Sequence, residues 1–380
     1  MAGGKVLVVG ASPMMSGGEI SLLRALSALP EHGWDVRTAL VVPTPGDIGA
    51  ALDRAGLSPT VFTVDRVRDV VAGTRAVRGL AQLARGVDVV HANDIRAALY
   101  CQAAGLLARK PWTFQAHDLY TEGSTFERSL RFTRPARVVA MSEAIADRGS
   151  SLFRWSRDRI DVVYAGIDAD AYRASADAEA WRAEFGLSPS TPVVGIVGRL
   201  VDWKGQDDFI RAAALVARTH PDTRFFIVGG ELVDGATAWG LGPEAARLRG
   251  LASALGISDA VTMTGPRSDV ASAMAAFDVA VVASWAEPFG LVVLESMSQG
   301  TAVVATAAGG VPEIVVDGES GVLVPPRSAG ELAAAIEGLL ADPARRERLA
   351  VGGQRRVSAA FPPDLETRGL AASWSRVVRP

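Results

Sequence analysis

The stretch DVAVVASWAEPFGLVVLESMSQGTAVVAT occupies residues 278–306. The β-branched apolar runs at 278–284 and 301–306 have the length of strands that are buried on both faces of a sheet. The residues between them, from about 289 onward, have the composition and apolar spacing of a helix. A strand, a helix and a second strand in this order predict a parallel β-α-β unit.

The same alternation of short Val-rich runs and helical segments extends along the whole chain. It predicts a doubly wound α/β sheet that occurs twice, without an accompanying sequence repeat. The predicted strands are residues 5–10, 37–42, 87–93, 112–117, 137–141 and 160–165 in the first half, and residues 192–198, 224–230, 261–265, 278–284, 301–306 and 321–325 in the second.

Acidic and small residues with a Gly-Leu-Ser-Pro turn at 186–189 separate the two halves. We therefore expect an N-terminal domain at residues 1–170 and a second domain at 171–362. Helices are predicted at 330–341 and 344–360. FPP at 361–363 ends the second of these, and a last helix at 365–378 is expected to cross back to the first domain.

Composition agrees with two α/β domains and argues against several classes of protein. The chain has 380 residues, of which 49% are hydrophobic and 21% charged, which excludes a disordered scaffold. A net charge of −3 argues against a nucleic-acid binder. The single cysteine, Cys101, excludes an intramolecular disulfide and is expected in the core. No apolar run reaches membrane-spanning length and no signal peptide is evident, so we expect a cytoplasmic protein without a transmembrane segment.

Two Gly-containing or basic loops follow predicted strands and open helices. Gly17 and Gly18 leave bare backbone N–H groups at a helix N-terminus, which favours either an anion site or a tight turn. Arg199 and Lys204 follow the first strand of the second half, and Lys204 is one of only three lysines. Two cations at a helix N-terminus predict an anionic ligand, unless neighbouring aspartates neutralise them as surface ion pairs.

Glu287 and Glu295 are eight residues apart, one at a strand exit and the other about two turns into the following helix. At this spacing their carboxylates can contact two parts of one long ligand. The rival interpretation is a general acid and base pair. In such a pair the two carboxyl groups act across one bond and lie within about 10 Å of each other. An ordinary exposed helix position for Glu295 is the third.

Several short motifs occur in one order along nearly the whole chain: GGE, HAND, HDL, VVYAGID, GRLVDWKG, FFIVGG, EPFGLVVLE, GGVPEIV and GVLVPP. This ordered set resembles the retaining glycosyltransferases of family 4, bacterial and actinobacterial in character. The resemblance implies the GT-B fold, in which two Rossmann-like domains face each other and a C-terminal helix returns to the first.

The resemblance also implies a nucleotide-sugar site in the second domain. Arg199 and Lys204 would neutralise the diphosphate, Glu295 would bind the ribose hydroxyls, and Glu287 would bind the hydroxyls of the donor sugar. Further donor contacts would come from the backbone of Phe289, Gly290 and Leu291, from Gly17 and Gly18 of the first domain, and from the region of Gly265 and Arg267 beside the base.

His117 follows a strand of the first domain and is either a structural histidine or, by the resemblance, a group beside the donor sugar that assists catalysis together with Arg199, Lys204 and Glu287. The candidate acceptor-binding residues are Glu19, Asn93, Asp94, Asp118 and Glu122.

Two further patterns have structural explanations. Asp168 and Asp170 form a D-x-D pair, but in a linker, where helix capping is expected rather than metal binding. We therefore predict no metal and no cofactor. An arginine stripe at Arg66, Arg68, Arg75, Arg78 and Arg85 predicts a solvated helix face, with peripheral membrane contact as the alternative.

The function expected from these residues and the resemblance is transfer of a hexosyl group from a nucleotide diphosphate sugar to a hydroxyl group, with retention. The donor base is expected to be uracil, with guanine as the alternative. A small polar acceptor such as an aminocyclitol or an antibiotic precursor is favoured. The alternatives are a lipid-linked or phosphoinositol acceptor of the cell envelope, a sugar phosphorylase or epimerase of the same fold, and a catalytically silent binding domain.

Overall fold

A computed structural model of the protein describes residues 3–15, 17–65, 69–120, 123, 125–233 and 239–378. The chain divides into two compact units. The first comprises Met1–Gly166 with Pro363–Pro380, and the second comprises Ile167–Pro362. The boundary expected from the sequence was at residues 170 and 171.

The first unit is built on one parallel sheet covered by helices. Its described strands are β1 (Gly4–Gly10), β2 (Trp34–Val42), β3 (Thr60–Thr63), β4 (Val89–Ala92), β5 (Trp112–Ala116), β6 (Arg137–Ala140) and β7 (Ile160–Val162). They pair in the order β3-β2-β1-β4-β5-β6-β7. Its helices are α1 (Gly17–Ala28), α2 (Gly46–Arg54), α3 (Val70–Ala84), α4 (Ile95–Ala108), α5 (Thr125–Ser129) and α6 (Glu143–Phe153).

The second unit repeats this architecture. Its strands are β8 (Val193–Val197), β9 (Arg224–Val228), β10 (Glu231–Leu232), β11 (Trp239–Gly240), β12 (Val261–Gly265), β13 (Val279–Val282), β14 (Ala302–Thr306) and β15 (Val322–Val324). The parallel sheet has the order β12-β9-β8-β13-β14-β15, and β10 pairs with β11 in a separate ribbon. Its helices are α7 (Ala169–Ala174), α8 (Ala178–Glu184), α9 (Gln206–Thr219), α10 (Pro243–Ala254), α11 (Val270–Ala276), α12 (Leu291–Ser298), α13 (Val311–Ile314), α14 (Ala329–Ala341) and α15 (Pro343–Ala360).

Strand order reverses between β1 and β4 in the first unit and between β8 and β13 in the second. In open parallel sheets, ligands bind at the carboxyl ends of the strands beside such a reversal. The loops that follow these four strands are therefore the expected ligand-binding loops of each unit.

Each of the twelve predicted strands corresponds to a strand of the structure, whereas β3 and the ribbon of β10 and β11 were missed. Three of the four residues of β3 are exposed, since it lies at the edge of the sheet and pairs with β2 alone. An edge strand of this kind needs no continuous apolar run. The twelve predicted strands were recognisable because each has such a run.

The last helix, α16 (Leu365–Ser375), packs within the first unit, as expected from the sequence. Trp374 is fully buried, with its ring 5.2 Å from that of Trp34, and its indole N–H donates to Nδ1 of His91 at 3.2 Å. On the same helix the buried carboxyl group of Glu366 accepts a hydrogen bond from the hydroxyl of Ser21 in α1. Residues from the end of the chain therefore complete the core of the first unit.

Glu366 should make the stability of the first unit depend on pH. Burial raises its pKa from 4.5 to about 7, although the charge of Arg24 acts in the opposite direction. The native state therefore holds a proton that the unfolded chain has lost between these two values, so stability should fall as the pH rises from about 5 to 7. This decline in the free energy of unfolding should be on the order of 3 kcal/mol. Glu366→Gln should abolish it, as measured by urea unfolding at several pH values. The same decline in Glu366→Gln and in the exposed control Glu331→Gln would contradict this role.

Candidate active site

The central feature of the second unit is an ion pair at its switch point. Nζ of Lys204 lies 2.6 Å from Oε2 of Glu287, and the hydroxyl of Ser284 donates to the same oxygen at 2.8 Å. Lys204 comes from the loop after β8, and Glu287 from the loop after β13. Only 9% of the Glu287 side chain is exposed, so the pair is largely shielded from water.

Glycine lets these two loops approach each other. Gly205 has φ +73°, and a Cβ at this position would lie 2.0 Å from the carbonyl oxygen of Ala283. Any other residue would push the Lys204 loop away from the end of β13. On the other side, the N–H of Gly310, within the GGVPEIV motif, donates to the carbonyl of Glu287 at 2.9 Å.

Two helices begin beside this ion pair. Gly205 precedes α9 and Gly290, with φ +112°, precedes α12, so the N-cap residue of each helix has no side chain that could cap it. In the same unit, Asp168 and Asp177 cap α7 and α8, whereas Asp269 and Ser328 make no cap hydrogen bond at α11 and α14. Uncapped N-terminal N–H groups carry partial positive charge and favour an anion.

The other predicted donor residues surround the same loops. The side chain of Arg199 is exposed, and its carbonyl accepts a hydrogen bond from Nε2 of Gln206 at 2.8 Å, which holds the backbone after β8. Phe289 is buried against Phe361, Leu291 is the first residue of α12, and Glu295 lies partly buried on the same helix. The loops that carry Arg199 and Glu287 therefore lie side by side at the carboxyl ends of β8 and β13.

The side chain of Arg267, whose backbone is predicted to lie beside the base, is held by two carboxylates. Its guanidinium group makes two hydrogen bonds to Glu184, at 2.8 and 2.7 Å, and two to Asp269, both at 2.7 Å. A guanidinium has five N–H donors, and four are used here. The side chain therefore fixes the loop after β12 to α8.

In the first unit, His117 joins three loops at the switch point. Its Nε2 lies 2.9 Å from Oδ1 of Asn93, and its Nδ1 lies 2.9 Å from the sulfur of Met141. A Cβ on Gly18 would lie 3.1 Å from Nδ1 of His117, so the start of α1 is close to the imidazole. We call Gly18, Asn93, His117 and Met141 the His117 cluster. Sequence reasoning missed Met141, although its position at the end of the predicted strand at 137–141 was the available signal.

Asp94 serves the architecture of this cluster. One carboxylate oxygen caps α4 by accepting from the N–H groups of Arg96 and Ala97, both at 2.9 Å, and the other accepts from the N–H of Ala11 at 2.6 Å. Burial raises the pKa of Asp94, and the nearby charge of Glu19 adds to the effect. This network uses both oxygens to join β1 to α4, which favours a positioning role over the acceptor contact predicted for Asp94.

The remaining acceptor candidates have varied positions. Asp118 is exposed and Glu19 is partly buried, whereas Glu122 lies outside the described residues. Beneath the His117 cluster, burial and then the charge of His117 lower the pKa of His91 to about 3, so His91 is neutral.

The D-x-D pair and the arginine stripe have the following environments. Asp168 caps α7 by accepting from the N–H of Ala171 at 3.0 Å, which confirms its capping role. In the described part of the chain, no cluster of three or more His, Cys, Asp or Glu side chains is arranged for a metal ion. The described arginines of the stripe, Arg75, Arg78 and Arg85, are exposed, whereas Arg66 and Arg68 lie outside the described residues.

None of the described helices is both long enough and apolar enough to span a bilayer. Cys101 is fully buried, as predicted.

Comparison with known proteins identifies the family. Residues 15–171 match the family described as Glycosyltransferase Family 4, and residues 177–356 match Glycosyl transferases group 1. The chain therefore belongs to the glycosyltransferases that these two family models describe.

Individual relatives agree with this assignment. The D-inositol 3-phosphate glycosyltransferase of Mycobacterium sp. (strain KMS) is 38% identical over 295 residues, which are 72% of this chain and 64% of the relative. The protein of the same name from Stackebrandtia nassauensis is 34% identical, over 70% of this chain and 63% of the relative. The matches therefore span a little under two thirds of these relatives.

Among solved structures, Anabaena HepE in complex with UDP-glucose has a TM-score of 0.83 and 26% identity, over 98% of this chain and 100% of that one. The same protein was solved with UDP. The predicted fold class, GT-B with two parallel-sheet Rossmann-like domains, is confirmed.

Removing the charge of Lys204 should separate phosphate binding from nucleoside binding. Lys204→Met should weaken UDP binding about tenfold to a hundredfold, because one charge-assisted contact to the diphosphate is lost, and should leave uridine binding nearly unchanged. The melting temperature should also fall, since Glu287 stays largely buried without its cation. Calorimetry with UDP and uridine tests this, with Lys110→Met in the other unit as the matched control. Equal losses for both ligands would contradict the assignment.

Proposed function

We propose that the protein transfers a hexosyl group from a UDP-linked sugar to a hydroxyl group of an acceptor, with retention of the anomeric configuration. The observation that carries this proposal is the pair of Lys204 and Glu287 at the switch point of the second unit, flanked by two uncapped helix N-termini. A cation and helix N–H groups suit a diphosphate, and a carboxylate beside them suits the hydroxyls of the attached sugar.

The comparisons support the donor class. Anabaena HepE, which is similar over nearly the whole chain, was solved with UDP and with UDP-glucose. In the proposed complex, Arg199 and Lys204 bind the diphosphate, the N-terminus of α12 at Leu291 donates to it, and Glu295 accepts from the ribose hydroxyls.

The proposed reaction occurs on one face of the donor sugar. The bond between the anomeric carbon and the β-phosphate oxygen breaks while the acceptor oxygen bonds to the same carbon, and the acceptor proton passes to the departing phosphate oxygen. The leaving group gains negative charge in this step, so Arg199, Lys204 and the helix N-termini stabilise the transition state more than the ground state. His117, held by Asn93, positions the acceptor hydroxyl.

The acceptor is assigned to the first unit, with Glu19, Asn93 and Asp118 as contacts at the strand ends. A small polar acceptor such as an aminocyclitol or antibiotic precursor stays a prediction. The names of the mycobacterial and Stackebrandtia relatives support a phosphorylated cyclitol as the second candidate acceptor.

A donor and acceptor array tests the proposal. UDP-glucose, UDP-galactose, UDP-N-acetylglucosamine and GDP-mannose are each incubated with cyclitols, cyclitol phosphates and hydroxylated aromatic alcohols, and products are read by mass spectrometry. Nuclear magnetic resonance of the product then gives the anomeric configuration. A new sugar-acceptor product with the configuration of the donor supports the proposal. An altered donor without an acceptor product indicates an epimerase, and sugar 1-phosphate formed with inorganic phosphate indicates a phosphorylase.

His117 should affect turnover rather than donor affinity. His117→Ala should lower kcat about a hundredfold or more, because a group that positions the reacting atoms is lost, while UDP affinity stays within about twofold. Steady-state kinetics and calorimetry measure the two effects, and His220→Ala serves as the control histidine. Lost UDP binding or unchanged turnover would make His117 a structural residue.

Transfer should not depend on a divalent cation. The charge of the diphosphate is assigned to Arg199, Lys204 and two helix N-termini, so activity in excess EDTA should stay within about twofold of the untreated enzyme. Activity that EDTA abolishes and Mn²⁺ or Mg²⁺ restores would contradict this assignment. Asp168→Asn should leave turnover nearly unchanged, since its carboxylate caps α7.

A further inference from the structure

Three aspartates lie close to Lys204 in the chain, at positions 202, 207 and 208. Asp207 and Asp208 belong to the first turn of α9, where the helix dipole favours a carboxylate. A carboxylate that paired with Lys204 there would cancel the charge that a diphosphate needs. Among the described residues, however, the only ion pair of Lys204 is the one with Glu287. The two carboxylates on α9 have other partners.

Arg247 on α10 holds the carboxylate of Asp207. Its guanidinium group donates to Oδ2 of Asp207 at 2.9 Å and to Oδ1 as well, while its Nε donates to Glu244 at 2.9 Å. The hydrogen bonds from Arg247 lower the pKa of Asp207, so this carboxyl group is ionised and paired at neutral pH. Asp207 is therefore neutralised by a cation other than Lys204.

Trp285 holds the carboxylate of Asp208. The indole N–H of Trp285 donates to Oδ2 of Asp208 at 2.7 Å. Trp285 lies in the loop after β13, between Ser284 and Glu287, so the residue that binds Asp208 belongs to the same loop as the partner of Lys204. A hydrogen bond to an ionised acceptor is short and directional, and it therefore fixes the carboxylate against the indole.

The indole of Trp285 is itself held in place by two further loops. Its backbone N–H donates to the carbonyl of Trp203, in the loop after β8, at 2.7 Å. The guanidinium group of Arg327, in the loop after β15, lies over the indole ring, 4.2 Å from its centroid. Arg327 has φ +60°, a left-handed conformation that is uncommon for a residue with a long side chain. Trp285 therefore connects three strand-end loops to the first turn of α9.

We propose that Trp285 is a positioning residue of the donor site, which holds the carboxylate of Asp208 away from Lys204 and so keeps this cation available for the diphosphate. This inference rests on the proposed function, in which Lys204 binds the diphosphate. Asp208 is four residues from Lys204. Without the indole N–H, its carboxylate would be free to pair with Lys204 or to face the diphosphate, and both lower the affinity for an anion.

The experiment compares the binding of UDP and of uridine by calorimetry. Trp285→Phe keeps an aromatic ring beside Arg327 and removes the N–H donor. UDP affinity should fall about three- to tenfold, the size expected of one unfavourable charge near a protein surface, whereas uridine affinity should stay nearly unchanged. The loss should become smaller in about 0.5 M NaCl, because salt screens a repulsion between charges but does not restore a displaced loop.

A second substitution separates the charge of Asp208 from the packing of Trp285. Trp285→Phe combined with Asp208→Asn should restore UDP affinity to within about twofold of the unmodified protein, because the freed side chain is then uncharged. Asp208→Asn alone should have little effect, since its amide oxygen still accepts from the indole. The matched control is Trp181→Phe on α8 of the same unit. Trp181 is buried and its indole N–H has no hydrogen-bond partner among the described residues, so UDP affinity should not change.

Three results would overturn the role of Trp285 and leave the proposed function intact. They are unchanged UDP affinity in Trp285→Phe, equal losses for UDP and uridine, and a loss of UDP affinity that neither Asp208→Asn nor salt reduces. The last two would make Trp285 a packing residue of the loop after β13. An unmodified protein that binds no UDP would overturn both the proposed function and this inference.

Discussion

The ion pair between Lys204 and Glu287 is the constraint on which the arrangement of the second unit depends. Two opposite charges are held together in a largely buried position, and removal of either would leave the other poorly solvated. The surrounding sequence serves this contact: Gly205 permits the approach of one loop, while Ser284 and Gly310 hold the other. In the proposed complex, the diphosphate would replace Glu287 as the partner of Lys204.

In the first unit, a carboxylate joins the loops at the switch point. Asp94 binds backbone N–H groups from the end of β1 and the start of α4, the two segments that flank the reversal of strand order. This arrangement fixes Asn93, and through it His117, without a further charged partner. In both units, a buried polar contact across the switch point joins loops that are distant in sequence.

Most strands of both sheets could be predicted from the sequence. They lie between helices and are buried on both faces, so their residues form continuous Val-rich runs. The edge strand β3 lacks that signal and was missed. Glycines and charges after the strands indicated the loops that come together at the switch points, but not the partners of each side chain. The sequence could not show that Arg267 is held by Glu184 and Asp269, or that Met141 lies beside His117, since both depend on contacts across long separations.

The return of α16 to the first unit has a consequence for biosynthesis. Trp374 completes a core whose other members, such as Trp34 and Leu26, leave the ribosome long before it. The second unit is a continuous segment between them and can fold as soon as it is made. The first unit must wait with an open apolar surface until residues 363–378 emerge. During translation, therefore, the half of the protein that is synthesised first is the one that is finished last, and it is the half in which chaperones would find exposed core.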